Sequence, residues 1–107
     1  MDCEHDVSEH EHQLRSAEVM GRAASMASAM GDRGRLRVLE LLFDGPHCVS
    51  EVSEETGDTM SSISQRLKIL HNAGLVSRER DGKHVNYSLA DDHVRTIIEQ
   101  LFDHASE

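Results

Sequence analysis

The chain has 107 residues, enough for one domain with a modest core, and lacks an apolar run long enough to span a bilayer. Trp is absent and one Tyr and two Phe are the only aromatics, so Leu, Ile, Val, Met and Ala must build the core. A formal net charge of −9 argues against a uniformly basic nucleic-acid binder. The two cysteines make no disulfide framework and the charged, His-rich start is no signal peptide, which predicts a cytoplasmic protein with reduced thiols.

The charge is unevenly placed. Residues 1–18 carry Asp2, Glu4, Asp6, Glu9, Glu11 and Glu18 against Arg15, whereas residues 61–90 carry Arg66, Lys68, Arg78, Arg80 and Lys83 against Glu79 and Asp81. A local basic patch is what phosphate contact requires, and the acidic remainder weakens nonspecific DNA binding. Five scattered cations also fit an ordinary solvated face.

Residues 1–11 have no apolar periodicity and read as a flexible His-, Cys- and acid-rich arm; residues 12–107 form the domain. From His12 to Met30 the spacing of Leu14, Val19, Met20, Ala23, Met26 and Met30 predicts a helix rich in small residues. Asp32 caps a short helix through Leu36, Leu39, Leu42 and Phe43, which Gly45-Pro46 terminates. A third helix runs from near Cys48 to Thr56, with Gly57 as its stop.

Asp58 or Thr59 then caps a helix with apolar spacing at Met60, Ile63, Leu67 and Leu70, and Gly74 suits its left-handed stop. Two helices joined by a short Gly-containing turn make a helix-turn-helix. The outward residues of the second are Ser61, Ser62, Ser64, Gln65, Arg66 and Lys68, short hydroxyls and an amide that can reach base edges and cations that can reach phosphates. Segments 75–80 and 84–89 flank Asp81-Gly82, a hairpin signal with a basic tip at Arg80 and Lys83. The expected fold is mainly α with a β-hairpin wing, a winged helix-turn-helix.

The last helix, over residues 91–106, carries Val94, Ile97, Ile98, Leu101 and Phe102 as one apolar stripe. His93 and His104 lie together on its flank, with Asp91 before and Glu107 beyond. One helix cannot gather these four, because eleven residues span about 16 Å of axis. Either they bind no metal, with Asp91 merely capping the helix, or a second chain completes the site. Two antiparallel copies packed on their stripes place Asp91 and His93 of one chain opposite His104 and Glu107 of the other, giving two shared sites in a twofold dimer.

The run Ile63-Ser64-Gln65-Arg66-Leu67-Lys68-Ile69-Leu70, then Asn72-Ala73-Gly74-Leu75-Val76, Arg80-Asp81-Gly82-Lys83 and Tyr87-Ser88-Leu89, resembles the ArsR/SmtB family of winged-helix metal-responsive repressors. Asp32 to Leu42 is similar to that family's second helix, so the resemblance covers nearly the whole chain. The small-residue face of the first helix and the apolar face of the last, which a monomer of this size would leave exposed, predict a homodimer formed through those two helices. By the resemblance, the metal-free dimer would bind operator DNA, and metal would release it and switch on efflux or sequestration genes. In the zinc-sensing, SmtB-like branch the last helix carries Asp-x-His and, across the dimer, His-x-x-Glu, which fall here on Asp91, His93, His104 and Glu107. The resemblance also implies an allosteric relay from His104 to a backbone carbonyl near Gly74.

The chain departs from the family at the third helix. Thiol-rich sensors carry a Cys pair there, whereas this chain reads His47-Cys48-Val49-Ser50-Glu51, which counts against an arsenic site. A second site of the zinc branch would draw on Cys3, His5, Cys48 and Glu51, although Glu51 stands where Asp is expected. Two imidazoles and two carboxylates suit Zn(II), and Co(II) accepts the same geometry. Ni(II) takes more ligands, which His10 and His12 would supply, but the nickel and cobalt branch usually ends its set with His and not Glu107. Two other classes compete: a thiol-redox repressor using Cys3 and Cys48, and a metal-storage protein, which needs no base-reading helix. No enzyme is expected, since no nucleophile-base set appears and the candidate zinc site has four protein ligands and no open position for substrate or water.

Overall fold

A computed structural model describes residues 14–107. The helices α1 (Ala17–Met30), α2 (Arg33–Leu41), α3 (Val49–Thr56) and α4 (Met60–Asn72) are followed by strands β1 (Val76–Asp81) and β2 (His84–Leu89) and by α5 (Asp92–Ala105). The expected winged helix-turn-helix is the observed one. No described helix is long and apolar enough to cross a membrane.

Side-chain acceptors ahead of each apolar run set the helix starts. Ser16, Asp32, Thr59 and Asp91 accept from the backbone N–H of Val19, Arg35, Ser62 and Val94 at 3.2, 3.0, 3.1 and 3.0 Å. The first helix therefore begins at Ala17, later than its periodicity predicts. At α3 the cap is reciprocal, with Glu51 Oε1 accepting from the Cys48 amide at 2.9 Å. Gly57 (φ 79°) ends α3 in the left-handed region. At the end of α4, Gly74 (φ 80°) allows Leu75 N to donate to Leu70 O at 2.9 Å and Gly74 N to His71 O at 3.0 Å, a Schellman pair that turns the chain into the wing.

The core is continuous. Val38, Leu39, Leu42, Val52, Ile63, Leu67, Leu70, Leu75, Val76, Val94 and Ile98 bury their side chains together, so a single Leu→Ala change at Leu67 costs about 2–5 kcal/mol. Only Ala29 of α1 is fully buried, and Arg35 ties that helix down by donating from Nε to Ala29 O at 2.7 Å. The strands pair antiparallel from Val76↔Leu89 to Asp81↔His84, which leaves Gly82-Lys83 as the two-residue turn. The turn thus lies one residue beyond Asp81-Gly82, and Gly82 (φ 66°) supplies its left-handed residue. His47 adds a bridge on the other edge of β2, exchanging both backbone hydrogen bonds with Tyr87 at 3.0 and 2.8 Å.

Candidate nucleic-acid interface and metal centre

The face of α4 turned away from the core presents Ser61, Ser62, Ser64, Gln65 and Lys68, all exposed. Ile63, Leu67 and Leu70 hold the opposite face against the core, so the polar row is the one that can enter a groove. Arg66 departs from the expected outward placement. Its guanidinium is half-buried and donates from Nη1 to Asp58 Oδ2 at 2.8 Å, back across the helix-turn-helix corner. That bond holds the Asp58 carboxyl below its ordinary value.

The wing carries its cations on one face. Arg78 pairs with Tyr87 and Arg80 with Val85, so the two arginines and their partners share a side of the hairpin that begins, at Val76, in the core. Arg80 is exposed on that face and Lys83 at the turn. Arg78 belongs to the basic patch visible in the sequence, but only the strand register places it beside Arg80.

Both ends of α5 carry a histidine beside a carboxylate. At the start, His93 Nδ1 lies 3.7 Å from Asp91 Oδ1; at the end, His104 Nδ1 lies 3.8 Å from Glu107 Oε1. All four side chains are exposed, at 93% for His93, 57% for Asp91, 86% for His104 and 76% for Glu107. Asp91 Oδ1 accepts the Val94 amide, so capping and ligation are compatible if Oδ2 takes the metal. Among the described residues no single-chain group of three or more His, Cys, Asp or Glu side chains is placed to hold a metal. Each end of α5 offers two donors, imidazole plus carboxylate, which is half a tetrahedral zinc set.

Between the two ends the apolar stripe divides. Val94 and Ile98 are buried in their own chain and Phe102 packs against the core, whereas Ile97 and Leu101 are each 43% exposed. Val19 and Met20 of α1 are exposed as well.

The second expected set is only partly described, since Cys3 and His5 lie outside the described residues. Cys48 is a free thiol with Sγ 3.2 Å from Ser50 Oγ, and Glu51 is engaged in capping α3. Sequence reasoning missed the neighbour of this set. His47 Nε2 is 2.8 Å from Asp44 Oδ1 and its Nδ1 is 3.5 Å from Glu51 Oε1, which raises the imidazole above its ordinary value, with Asp44 as the main cause.

Residues 32–78 match the model of a family described as bacterial regulatory protein, arsR family. The chain is 33% identical over 89 residues to the HTH-type transcriptional regulator NmtR of Mycobacterium tuberculosis, covering 83% of this chain and 74% of that protein. It is 32% identical over 101 residues to a transcriptional repressor SmtB homolog of Synechocystis, covering 94% and 76%. Among solved structures, a homodimeric winged helix-turn-helix DNA-binding domain from Mycobacterium bovis superposes with a TM-score of 0.83 at 27% identity, over 90% of this chain and 89% of that one.

Proposed function

The chain belongs to the ArsR family, whose members are transcriptional regulators and not enzymes, and from that premise we propose that it is a zinc-responsive repressor acting as a homodimer. The metal-free dimer binds operator DNA through Ser61, Ser62, Ser64, Gln65 and Lys68 of α4 and through Arg80 and Lys83 of the wing. Zinc, or cobalt in the same geometry, lowers that affinity and derepresses genes for metal efflux or sequestration.

The observation that carries this reading is the pair of exposed imidazole–carboxylate couples at opposite ends of one helix, separated by the uncovered side chains of Ile97 and Leu101. Two α5 helices packed antiparallel on that face bring Asp91 and His93 of each chain against His104 and Glu107 of the other. The solved relative being a homodimer supports a dimer of this chain. Zinc would be held by Asp91 and His93 of one chain with His104 and Glu107 of the other, and would supply the charge that ties the two chains together there. The protein's part is to couple that tie to dimer shape, because the ligands come from both chains and the recognition helices must match successive major grooves. With the metal held, His104 would transmit the change if its second ring nitrogen donated to a backbone carbonyl near Gly74 at the end of α4, a bond that would also orient the ligand. The arm site of Cys3, His5, Cys48 and Glu51 is an auxiliary one.

Complementation tests the shared site. Neither His93→Ala nor His104→Ala homodimers should hold zinc at this site in competition with a chelator. Mixed dimers of the two should recover one zinc per dimer, since one of the two sites then keeps all its ligands. No recovery on mixing refutes the site that spans two chains.

A further inference from the structure

Gly34 of α2 lies directly against the guanidinium of Arg66. A Cβ built on Gly34 would meet Arg66 Nε at 2.8 Å and Cζ at 2.9 Å, closer than real Cβ contacts come. Gly34 is the second residue of α2, a place with no conformational need for glycine, since its φ is not in the left-handed region. The missing side chain makes room for Arg66. Through that space the guanidinium reaches the Asp58 carboxylate at 2.8 Å.

Asp58 is itself held firmly. Its backbone carbonyl accepts from Ser53 Oγ at 2.6 Å and its amide donates to Thr56 Oγ1 at 3.2 Å, while the next residue, Thr59, caps α4. The corner between α3 and α4 is thus fixed to α3 by two hydroxyls and to α4 by one guanidinium. The same guanidinium lies on α2. We propose that Gly34, Arg66 and Asp58 form a positioning lock that sets how α4 is presented to DNA, and that Arg66 acts through this lock and not by touching base or phosphate. The proposal rests on α4 being the reading helix.

A lock and a phosphate contact give opposite signs. Asp58→Asn removes a negative charge near the DNA-facing helix, so electrostatics alone tightens binding, whereas loss of the lock weakens it. Gly34→Ala changes no charge and puts the better helix former into α2, yet displaces the guanidinium. Binding is measured with a duplex recovered by in vitro selection from a random library, and with random duplex, across a salt series. The expected result is that Gly34→Ala, Asp58→Asn and Arg66→Ala each lower affinity for the selected duplex by about fivefold or more, the scale on which coupled neighbours act. Random-duplex affinity should change little with Gly34→Ala, which alters no charge, and should shift only slightly, in the direction of the charge change, with Asp58→Asn and Arg66→Ala; the salt slope should change little throughout, and Gly34→Ala should melt no lower than the wild type. In the Gly34→Ala background, Arg66→Ala should add little further loss.

The lock is overturned if Asp58→Asn tightens binding, if Gly34→Ala leaves the selected duplex bound as before, or if Arg66→Ala weakens both duplexes alike and lowers the salt slope by about 1, as a lost phosphate contact would. The combined Ser61→Ala, Ser64→Ala and Gln65→Ala variant checks the underlying reading separately. Undiminished selectivity there removes α4 as the reading helix and the lock with it, whereas the other failures remove the lock alone.

Discussion

His47 Nε2 lies 2.8 Å from Asp44 Oδ1, joining the residue that bridges to β2 with the turn that ends α2. Glu51 approaches the other ring nitrogen, and Glu55 lines the same small cavity with Leu41 and Val52. The imidazole is raised above 6.5, chiefly by the Asp44 hydrogen bond, and burial only partly opposes this. A raised folded value means that the protonated form is favoured in the folded chain. The stabilisation is therefore fully present below the ordinary imidazole value and is lost as pH rises through the raised one. The carboxyls of Asp44 and Glu51 are lowered, Asp44 mainly by His47 and Glu51 mainly by its bonds to Cys48, so their contribution is lost as pH falls through the lowered values. Thermal melting of wild type against His47→Gln should differ most at about pH 5 to 6 and converge above about pH 8. A difference that grows with pH contradicts the assignment.

Leu101 and Ile97 should govern self-association. Each leaves 43% of itself exposed, whereas Val94 and Ile98 of the same helix are buried and Phe102 packs against the core. In a twofold dimer every such side chain counts twice, so Leu101→Ala should weaken dimerisation by about 1–2 kcal/mol. Leu101→Glu should give monomers at micromolar concentration by sedimentation equilibrium, with a helical circular dichroism spectrum retained because Ile98 and Val94 still anchor α5. A wild-type monomer at that concentration removes the shared zinc site as well.

The helix ends were legible in the sequence because their causes are local. Asp32, Thr59 and Asp91 each precede an apolar run and each caps it, and Gly57 and Gly74 stop helices with the positive φ that glycine permits. Long-range relations were not legible. Helical angle alone puts Arg66 outward, but its reach toward the N-terminus, and a glycine on another helix, bring the guanidinium inward. Periodicity joined Val94, Ile97, Ile98, Leu101 and Phe102 into one stripe, yet only packing shows which of them their own chain covers. His47 has carboxylates at helical spacing, Asp44 three residues before it and Glu51 four after, but it lies outside a helix, and its bridge to Tyr87 some forty residues away, which holds the ring where both carboxylates reach it, was not legible.

At the wing, Lys83 and Arg80 should act on DNA through charge. Both are exposed at or beside the hairpin turn, where phosphate is the reachable partner. Replacing either with Ala should weaken selected and random duplex alike and reduce the slope of log affinity against log salt by about 1. Ser64→Ala, on α4, should instead cost affinity mainly for the selected sequence. Equal effects of Ser64→Ala on both duplexes would mean that its hydroxyl reads no base.

The regulatory assignment turns on His104 against Cys48. His104 sits with Glu107 at one end of α5, free of any core role at 86% exposure, so His104→Gln should leave the fold and metal-free DNA binding intact. It should abolish release of the selected duplex by zinc, a coupling of about 1–3 kcal/mol in such switches and hence roughly a fivefold to 150-fold change in affinity. Cys48 is the N-cap of α3, where Glu51 accepts from its backbone amide and a serine hydroxyl can take over the thiol's side of the cap, so Cys48→Ser should preserve both the helix and the zinc response. Fluorescence anisotropy of the duplex during zinc titration, repeated with cobalt, measures both variants directly. If Cys48→Ser blocks release while His104→Gln does not, the regulating metal belongs to the arm and α3, and the α5 set is at most an accessory site.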